Sequence, residues 1–341
     1  MTDNLCCPDC IGDEGMGKLF PLFVPYEDVC SYCNKTSAVA SVTYLRDYFD
    51  PLLSIYEESE DGEYVTDLLQ RDWCLFPDKD RAQASLLLGD IIEDGNLPRK
   101  KFHCSESEKS DQLNVWKELS SELKEANRYF PITSLNLGRL KELWDHILVR
   151  SEVIGLNWYR ARANSDDQCF NIDQMGAPPG RKASHGRANP VGIPYLYLAS
   201  NSETAVCEIR PHTGETVNIA NFRIPEKMTF VDLREPRKLV SPFMLEGEKD
   251  IKLMRQDIGF LELLGEELTK PVLPESAAID YIPSQYLCEF IKKCNFDGVI
   301  YKSSVGNGIN LAIFDPYKAE GHEEVEKRVV KSVTVETEVV N

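Results

Sequence analysis

Apolar side chains recur at helical spacing through much of the first half of the chain. The clearest stretches are residues 82–92, 111–126 and 137–148, where leucine, isoleucine, alanine and tryptophan return every three or four positions. An acidic run at 57–63 precedes them and is typical of a solvated loop. Residues 37–152 are therefore predicted to form an α-helical domain.

From residue 153 onward the pattern changes to short apolar runs separated by glycine, proline and polar residues. Alternation predicts a strand at 156–163, and compact apolar runs predict strands at 193–199, 216–224, 228–233, 299–301 and 310–314. Helical spacing returns at 255–269 and after Pro283. Many short strands with few helices predict an α+β domain around a bent or split sheet, spanning residues 153–320.

Two segments of this half carry neither pattern clearly. Residues 164–192 are polar and rich in glycine and proline, which predicts a long functional loop or lid. Residues 321–341 alternate valine with charged and polar residues. That tail is either an added edge strand or a partly ordered end, and the sequence leaves both alternatives open.

Composition narrows the classes of partner. The 341 residues include 38 basic and 56 acidic side chains, a net charge of −18, with 42% hydrophobic residues. There is enough apolar material for two domains, while the acidic balance argues against broad nucleic-acid binding and against docking on anionic membrane. A basic partner, a local basic pocket and a homo-oligomer stay open. No apolar run approaches a bilayer span and no signal sequence is visible, so a cytoplasmic protein is expected.

Cysteines are concentrated near the N-terminus. Cys7 with Cys10 and Cys30 with Cys33 form two C-x2-C pairs at close to zinc-ribbon spacing. Four thiolates fill a tetrahedral shell, so the predicted zinc is structural, in a ribbon over residues 1–36 with a short strand at 18–24. The alternatives are two unlinked pairs or a redox disulfide, and Cys6 in place of Cys7 would give C-x3-C. The odd total of 11 cysteines argues against a disulfide framework.

The stretch from 186 to 208, GRANPVGIPYLYLASNSETAVCE, carries the most suggestive chemistry. It predicts a turn holding Arg187, a strand holding Tyr197, and a helix that begins at a Ser200–Glu203 capping box and carries Glu208. An arginine fork in a glycine-rich turn suits a phosphate, and a carboxylate on the next element can complete a pocket. The alternative is a structural Arg–Glu ion pair beside a core tyrosine.

In their order, these motifs resemble the RES domain family. Its members commonly show a Gly-Arg-Trp-Asn-Pro turn, a tyrosine-bearing strand and Ala-x-x-Glu; here Ala188 stands where tryptophan is usual. Near the C-terminus, FDGVIYKSSVGNGINLAIFDP resembles the family's Asp-Gly-x-x-Tyr-Pro-Ser segment and the apolar strand that follows it. Lys302 replaces the usual proline, and Ser303 takes the serine position with Ser304 as an adjacent rival. The resemblance covers residues 155–316.

The resemblance implies an ADP-ribosyltransferase-like fold that cleaves NAD between nicotinamide and ribose. In that scheme Arg187 clamps the pyrophosphate, Tyr197 stacks on nicotinamide, and Glu208 stabilises the oxocarbenium-like ribose. Ser303 would hydrogen-bond the nicotinamide amide or a phosphate. The remaining residues assigned to the dinucleotide are Arg160, Asn189 and Asn310. For Arg160 the alternative is a surface salt bridge.

The family also implies a toxin that depletes NAD and an antitoxin that neutralises it. Water or phosphate is favoured as the acceptor, because Val206 stands where many transferases carry an acid. The alternatives are a protein ADP-ribosyltransferase and a non-enzymatic zinc-bearing interaction protein, which the departures at Ala188 and Lys302 leave open.

The helical region resembles the HEPN-like modules that accompany some RES domains, as a regulatory or partner-binding part. The alternative is that these helices only extend the packing of the domain that follows. Arg99 and His103 are too close for the HEPN ribonuclease motif, so no ribonuclease activity is expected.

Overall fold

The computed structural model describes residues 4–104, 112–164, 169–322 and 324–334. The chain folds into two compact units, one of Met1–Leu113 with Glu235–Glu262 and the other of Asn114–Arg234 with Leu263–Asn341. Both contain helices and strands, which confirms the predicted α+β class. The finer division at residues 36, 152 and 320 stays a prediction. No helix within the described ranges is long and apolar enough to cross a membrane.

Strands are numbered in chain order over the described residues. They are β1 Leu5–Cys6, β2 Tyr26–Val29, β3 Thr36–Ser41, β4 Tyr56–Tyr64, β5 Lys101–Cys104, β6 Leu148–Arg150, β7 Asn157–Asn164, β8 Leu196–Ala199, β9 Thr216–Arg223, β10 Thr229–Asp232, β11 Gly298–Lys302, β12 Ile309–Ile313, β13 Glu320–Gly321 and β14 Glu326–Val329.

The α-helices of the same residues are numbered likewise. They are α1 Pro8–Ile11, α2 Glu14–Leu19, α3 Arg46–Leu53, α4 Val65–Trp73, α5 Arg81–Ile92, α6 Gln112–Glu125, α7 Leu137–His146, α8 Ser151–Ile154, α9 Ser202–Glu208, α10 Pro236–Leu239, α11 Gly247–Thr269, α12 Ala277–Asp280 and α13 Ile282–Lys293. The predicted helix at 111–126 matches α6 from Gln112 onward, and residue 111 lies outside the described residues.

The first unit opens with an antiparallel sheet of order β1-β3-β2 beside the cysteine pairs. The strand predicted at 18–24 is wrong, because α2 and a short 3-10 turn, Phe20–Phe23, occupy that stretch. Asp13 starts α2 as its N-cap, accepting a hydrogen bond from the Met16 amide at 2.6 Å. The cap at Asp13 therefore favours a helix here, although the short apolar run at 18–24 alone would suit a strand.

The acidic run at 57–63 is also not a loop. It forms most of β4, which pairs with β5 across a bulge between Glu58 and Glu63. Lys100 contacts Glu58 at 2.8 Å, and Arg71 contacts Glu63. These cations offset the repulsion among the neighbouring carboxylates, so an exposed acidic strand is tolerated.

The second unit is built on one mixed sheet of order β13-β9-β7-β8-β12-β11-β10-β6, with β14 also paired to β9. Strand β7 pairs with β9 along its whole length, yet with β8 only at Tyr159 opposite Ala199. The sheet therefore splits between β7 and β8. The pairing of β14 bears out the edge-strand alternative for residues 326–329 of the tail.

The two faces of this sheet bury different side chains. One face packs large residues, among them Trp158, Leu198 and Phe230. The opposite face carries small residues such as Ala161 and Ala199, and α9 packs on it through its own apolar positions. Because side chains alternate along a strand, each site residue can be assigned to a face from its register.

Helix α9 begins two residues after Ser200, not at a Ser200–Glu203 capping box. Asn201 is the N-cap and accepts from the Thr204 amide at 2.7 Å. The Ser200 hydroxyl accepts instead from the Ile309 amide of β12 at 3.1 Å. Both polar residues fix the entry of α9 onto the sheet, so the direction of its last residue is set by tertiary contacts as well as by the cap.

Candidate active site

Glu208 is the last residue of α9 and lies at the surface of the second unit. One carboxylate oxygen, Oε1, accepts hydrogen bonds from the Ser303 hydroxyl and from the Asn310 side-chain amide, each at 2.6 Å. Ser303 comes from the loop after β11, and Asn310 from β12. Three residues predicted for the site therefore converge from a helix, a loop and a strand.

The loop after β11 is held in shape by Ser303 itself. Its hydroxyl oxygen accepts from the amides of Val305 and Gly306 at 3.2 and 3.0 Å. A Cβ at Gly308 would lie 2.7 Å from the Ser200 hydroxyl, so glycine lets the loop close against the start of α9. The single proton of the Ser303 hydroxyl goes to Glu208. Ser303 therefore orients the carboxylate in this structure, and its contact with the nicotinamide amide or a phosphate stays a prediction.

Arg187 approaches the same loop from the predicted turn. Its Nη2 lies 3.5 Å from the Ser304 hydroxyl, and its Nη1 donates to the Lys270 carbonyl just beyond α11 at 2.7 Å. The guanidinium carbon stands 5.2 Å from the ring centroid of Tyr281. Within the described residues none of these partners is a carboxylate, so the Arg187–Glu208 ion pair considered from the sequence is not formed. Ser303 contacts the Glu208 carboxylate, and the neighbouring candidate Ser304 contacts the Arg187 guanidinium.

Tyr197 and Asn189 form the frame of the turn. The Tyr197 hydroxyl accepts from the amides of Ala188 and Asn189 at 3.0 and 3.1 Å and donates to Asn189 Oδ1 at 2.7 Å. The Asn189 Nδ2 donates to three backbone carbonyls, those of Ser184, Pro190 and Ile193. Burial raises the pKa of Tyr197, which keeps the phenol protonated. Both side chains position the Arg187 turn here, and their contacts to a dinucleotide stay predictions.

Arg160 is not brought to the Glu208 cluster. Through the register of β7 it shares a face with Trp158, whereas Tyr197 shares the opposite face with Ala199. Its Nη1 donates to the Tyr197 carbonyl at 2.9 Å, in the gap where β7 and β8 stop pairing. Its Nε is buried with no partner among the described residues. Burial lowers the pKa of Arg160 to about 10, so the guanidinium stays charged at neutral pH.

Sequence reasoning missed Tyr301. It lies on β11 directly opposite Asn310 of β12, and it is 4% exposed. Burial first, and then the nearby Tyr197 and Glu208, raise the pKa of Tyr301. The sequence did hold a signal for this residue, because Tyr301 is the tyrosine of the Asp-Gly-x-x-Tyr segment that begins at Asp297. Tyr281, which packs on Arg187, had no comparable signal.

The four predicted metal ligands of the first unit lie together. Sγ–Sγ distances are 3.6 Å for Cys7–Cys10, 3.7 Å for Cys7–Cys33 and 3.7 Å for Cys10–Cys30. Tetrahedral zinc with bonds of about 2.3 Å requires sulfur atoms about 3.8 Å apart. All four sulfur atoms lie within 4.8 Å of one another, so the donor set fits zinc. Cys6 is buried beside them, and its thiol donates to the Cys7 carbonyl.

The fold and the site define an α+β protein whose split sheet carries a surface carboxylate held by a serine and an asparagine. The family model described as the RES domain matches residues 157–334, more than half of the chain, and the chain belongs to the RES domain family. Among solved structures, the M.tuberculosis MbcT-MbcA toxin-antitoxin complex contains a similar chain at 14% identity and a TM-score of 0.30, covering 55% of this chain and 92% of that one. A search of curated proteins finds no match.

Proposed function

We propose that this protein cleaves NAD between nicotinamide and ribose, with water or phosphate as the acceptor. The observation that carries the proposal is the Glu208 carboxylate, which is exposed yet held on one oxygen by two donors at 2.6 Å. Its other oxygen has no hydrogen-bond partner in the described part of the chain. An oriented acid with one free oxygen suits the hydroxyls and the developing positive charge of a ribose.

The leaving of nicotinamide is the step that Glu208 assists. As the bond from ribose C1′ to the pyridinium nitrogen breaks, its electron pair goes to nicotinamide and positive charge develops on the ribose. Because Ser303 and Asn310 already hold Oε1, the carboxylate needs little rearrangement as that charge develops. The oxygen of a water molecule then bonds to C1′ and releases a proton to solvent, or a phosphate oxygen bonds to C1′ instead.

Arg187 is proposed to bind the pyrophosphate. Its guanidinium is half-buried, and its contacts among the described residues are a carbonyl, a hydroxyl and an aromatic ring, which leave its charge without a carboxylate. A planar cation of this kind binds phosphate oxygens well. Arg160 is proposed as a second anion contact inside the split of the sheet, which would account for its buried and unpartnered Nε. The Tyr197 ring is proposed to stack on nicotinamide.

The residue two positions before Glu208 favours a small acceptor over a protein side chain. Val206 packs against the apolar cluster of Ala199 and Ala205, and so offers no acid that would prepare an incoming side chain. Protein ADP-ribosylation is the alternative activity, and the product distinguishes it. ADP-ribose indicates water, ADP-ribose 1-phosphate indicates phosphate, and protein-bound ADP-ribose indicates a transferase.

The test is incubation of the purified protein with NAD, with and without phosphate, followed by mass spectrometry of the products. We expect free nicotinamide together with one of the first two products. Arg187→Ala should reduce its release strongly, whereas Arg181→Ala, an exposed cation of the same loop, should not. NAD that stays intact with the wild-type protein would overturn the proposal.

Depletion of NAD would stop the growth of the producing cell, so we also propose a toxin of the cytoplasm with a neutralising protein partner. The motif resemblance supports this partner, and the exposed Glu208 gives it a surface to cover. Growth arrest on expression, relieved by Glu208→Gln, tests the toxin. Recovery of growth on expression of a gene neighbouring this one tests the antitoxin.

The N-terminal ribbon is proposed to hold structural zinc through Cys7, Cys10, Cys30 and Cys33. The fit of their sulfur positions supports this, and with four protein ligands the metal would have no open position for chemistry. The HEPN-like helical region is proposed as a regulatory or partner-binding part.

A further inference from the structure

Two aromatic rings beside Arg187 have no role in the bond cleavage proposed above. Tyr281 lies between α12 and α13, is half-exposed, and has the Arg187 guanidinium carbon 5.2 Å from its ring centroid. His185 is exposed and precedes the turn, with its ring centroid 6.5 Å from that of Tyr281 and the planes inclined by 51°. The hydroxyl of Tyr281 makes no hydrogen bond within the described residues.

The groups around the site follow one another in a definite order. Glu208 contacts Ser303, and the next residue, Ser304, lies 3.5 Å from Arg187. Arg187 contacts Tyr281, and Tyr281 in turn contacts His185. Every member of this series is exposed or half-exposed. A carboxylate, a cation and a pair of aromatic rings are therefore linked by successive contacts, and each of them is at least partly exposed.

A nicotinamide dinucleotide has the matching order of nicotinamide ribose, pyrophosphate and adenosine. We propose that Tyr281 and His185 form the adenine subsite, so that the nicotinamide ribose lies at Glu208 and the adenine lies against the two rings. The inference rests on the proposed cleavage of NAD. Purine rings stack favourably on aromatic side chains, and the free Tyr281 hydroxyl adds a donor and acceptor for the edge of the base.

His185→Ala provides the cleanest test, because the ring contact of His185 is to Tyr281, whereas Tyr281 itself also contacts Arg187. Loss of one base–aromatic contact should raise the KM for NAD about tenfold and leave kcat within about twofold. Tyr281→Leu should raise the KM at least as much, because it also removes the ring that packs on Arg187, while Tyr281→Phe, which keeps the ring, should retain most of the affinity. Tyr317→Ala, at a tyrosine that is 87% exposed, serves as the matched control and should change nothing.

A second measurement separates this inference from the proposed function. Inhibition by AMP, or its calorimetric binding if no cleavage is seen, should weaken about tenfold in His185→Ala. If the wild-type protein does not release nicotinamide, the proposed function fails whatever AMP does. If it does cleave NAD, an unchanged KM for NAD and unchanged AMP affinity in His185→Ala and Tyr281→Leu overturn the adenine subsite alone. A fall in kcat without a change in KM overturns it too, because the rings would then support the chemistry and not the base.

Discussion

Substitution of Glu208 by glutamine separates the charge of the site from its shape. Glutamine keeps the side-chain length and an oxygen that accepts from the Ser303 hydroxyl and the Asn310 amide, which now hold Oε1 at 2.6 Å. Glu208 is exposed, so the substitution should change the free energy of unfolding by less than about 0.5 kcal/mol. What it removes is the negative charge next to the proposed ribose.

The size of the effect follows from the interaction of that charge with the developing cation. Two unit charges about 4 Å apart at an effective dielectric constant of about 20 attract by about 4 kcal/mol. Each 1.4 kcal/mol of lost transition-state stabilisation is a factor of about ten in rate. Glu208→Gln should therefore lower kcat for nicotinamide release about 1,000-fold, with a much smaller change in KM.

The assay is the initial rate of nicotinamide release from NAD, measured chromatographically, with thermal unfolding recorded for each variant. Glu203→Gln is the matched control, because Glu203 is an exposed acid in the first turn of the same helix, α9. It should retain the wild-type rate. A Glu208→Gln protein that is folded and still within about threefold of the wild-type kcat would refute the assignment of the carboxylate to transition-state stabilisation.

Three further predictions concern the turn, the ribbon and a loop anchor. Gly186→Ala should lower the free energy of unfolding by about 1–3 kcal/mol in chemical denaturation, because its Cβ would lie 2.6 Å from the Tyr197 hydroxyl. Cys30→Ser, or a strong chelator, should remove bound zinc, measured by elemental analysis, and open the ribbon to protease. Hydrogen bonds from the Ile132 and Thr133 amides lower the pKa of Glu122 below its ordinary value of 4.5. The anchoring of that loop should therefore be complete above pH 4.5 and be lost as the pH falls through the lowered pKa, visible in the amide resonances.

Each of these has its own control and contrary outcome. Gly176→Ala, in the same loop as Gly186, meets only an ordinary contact at 3.6 Å and should be tolerated; equal stability of the two variants would contradict the steric argument. Cys169→Ser changes an exposed cysteine outside the cluster and should keep the zinc. Glu122→Gln should remove the acid dependence of the loop, and an unchanged titration of its amides would show that another group controls them.

Much of the second half of the chain could be predicted because its signals are local. Alternation and compact apolar runs locate β7, β9, β10, β11 and β12 to within a residue or two. The turn, strand and helix from Gly186 to Glu208 also form in the predicted order. The capping position was misplaced because Ser200 and Asn201 are both good caps, and only the contact of Ser200 with β12 decides between them.

What could not be predicted depends on contacts between distant segments. Arg187 is fixed by Lys270 and Tyr281, which no spacing rule connects to a turn some ninety residues earlier. Arg160 falls on the far face of the sheet because the register of β7 against β9 decides its direction. The acidic strand β4 could not be predicted for a related reason, because its cationic partner Lys100 comes from a segment about forty residues later in the chain.

The hydrogen bonds among Tyr197, Asn189 and the backbone around Gly186 have a consequence for how the protein can change over time. Because these polar groups bond to one another within the chain, the protein itself orders the turn, and binding of a ligand there loses little conformational freedom. Exposed positions of the preceding loop, such as Arg181 and Lys182, can then be exchanged during evolution while the contacts that hold Arg187 are kept.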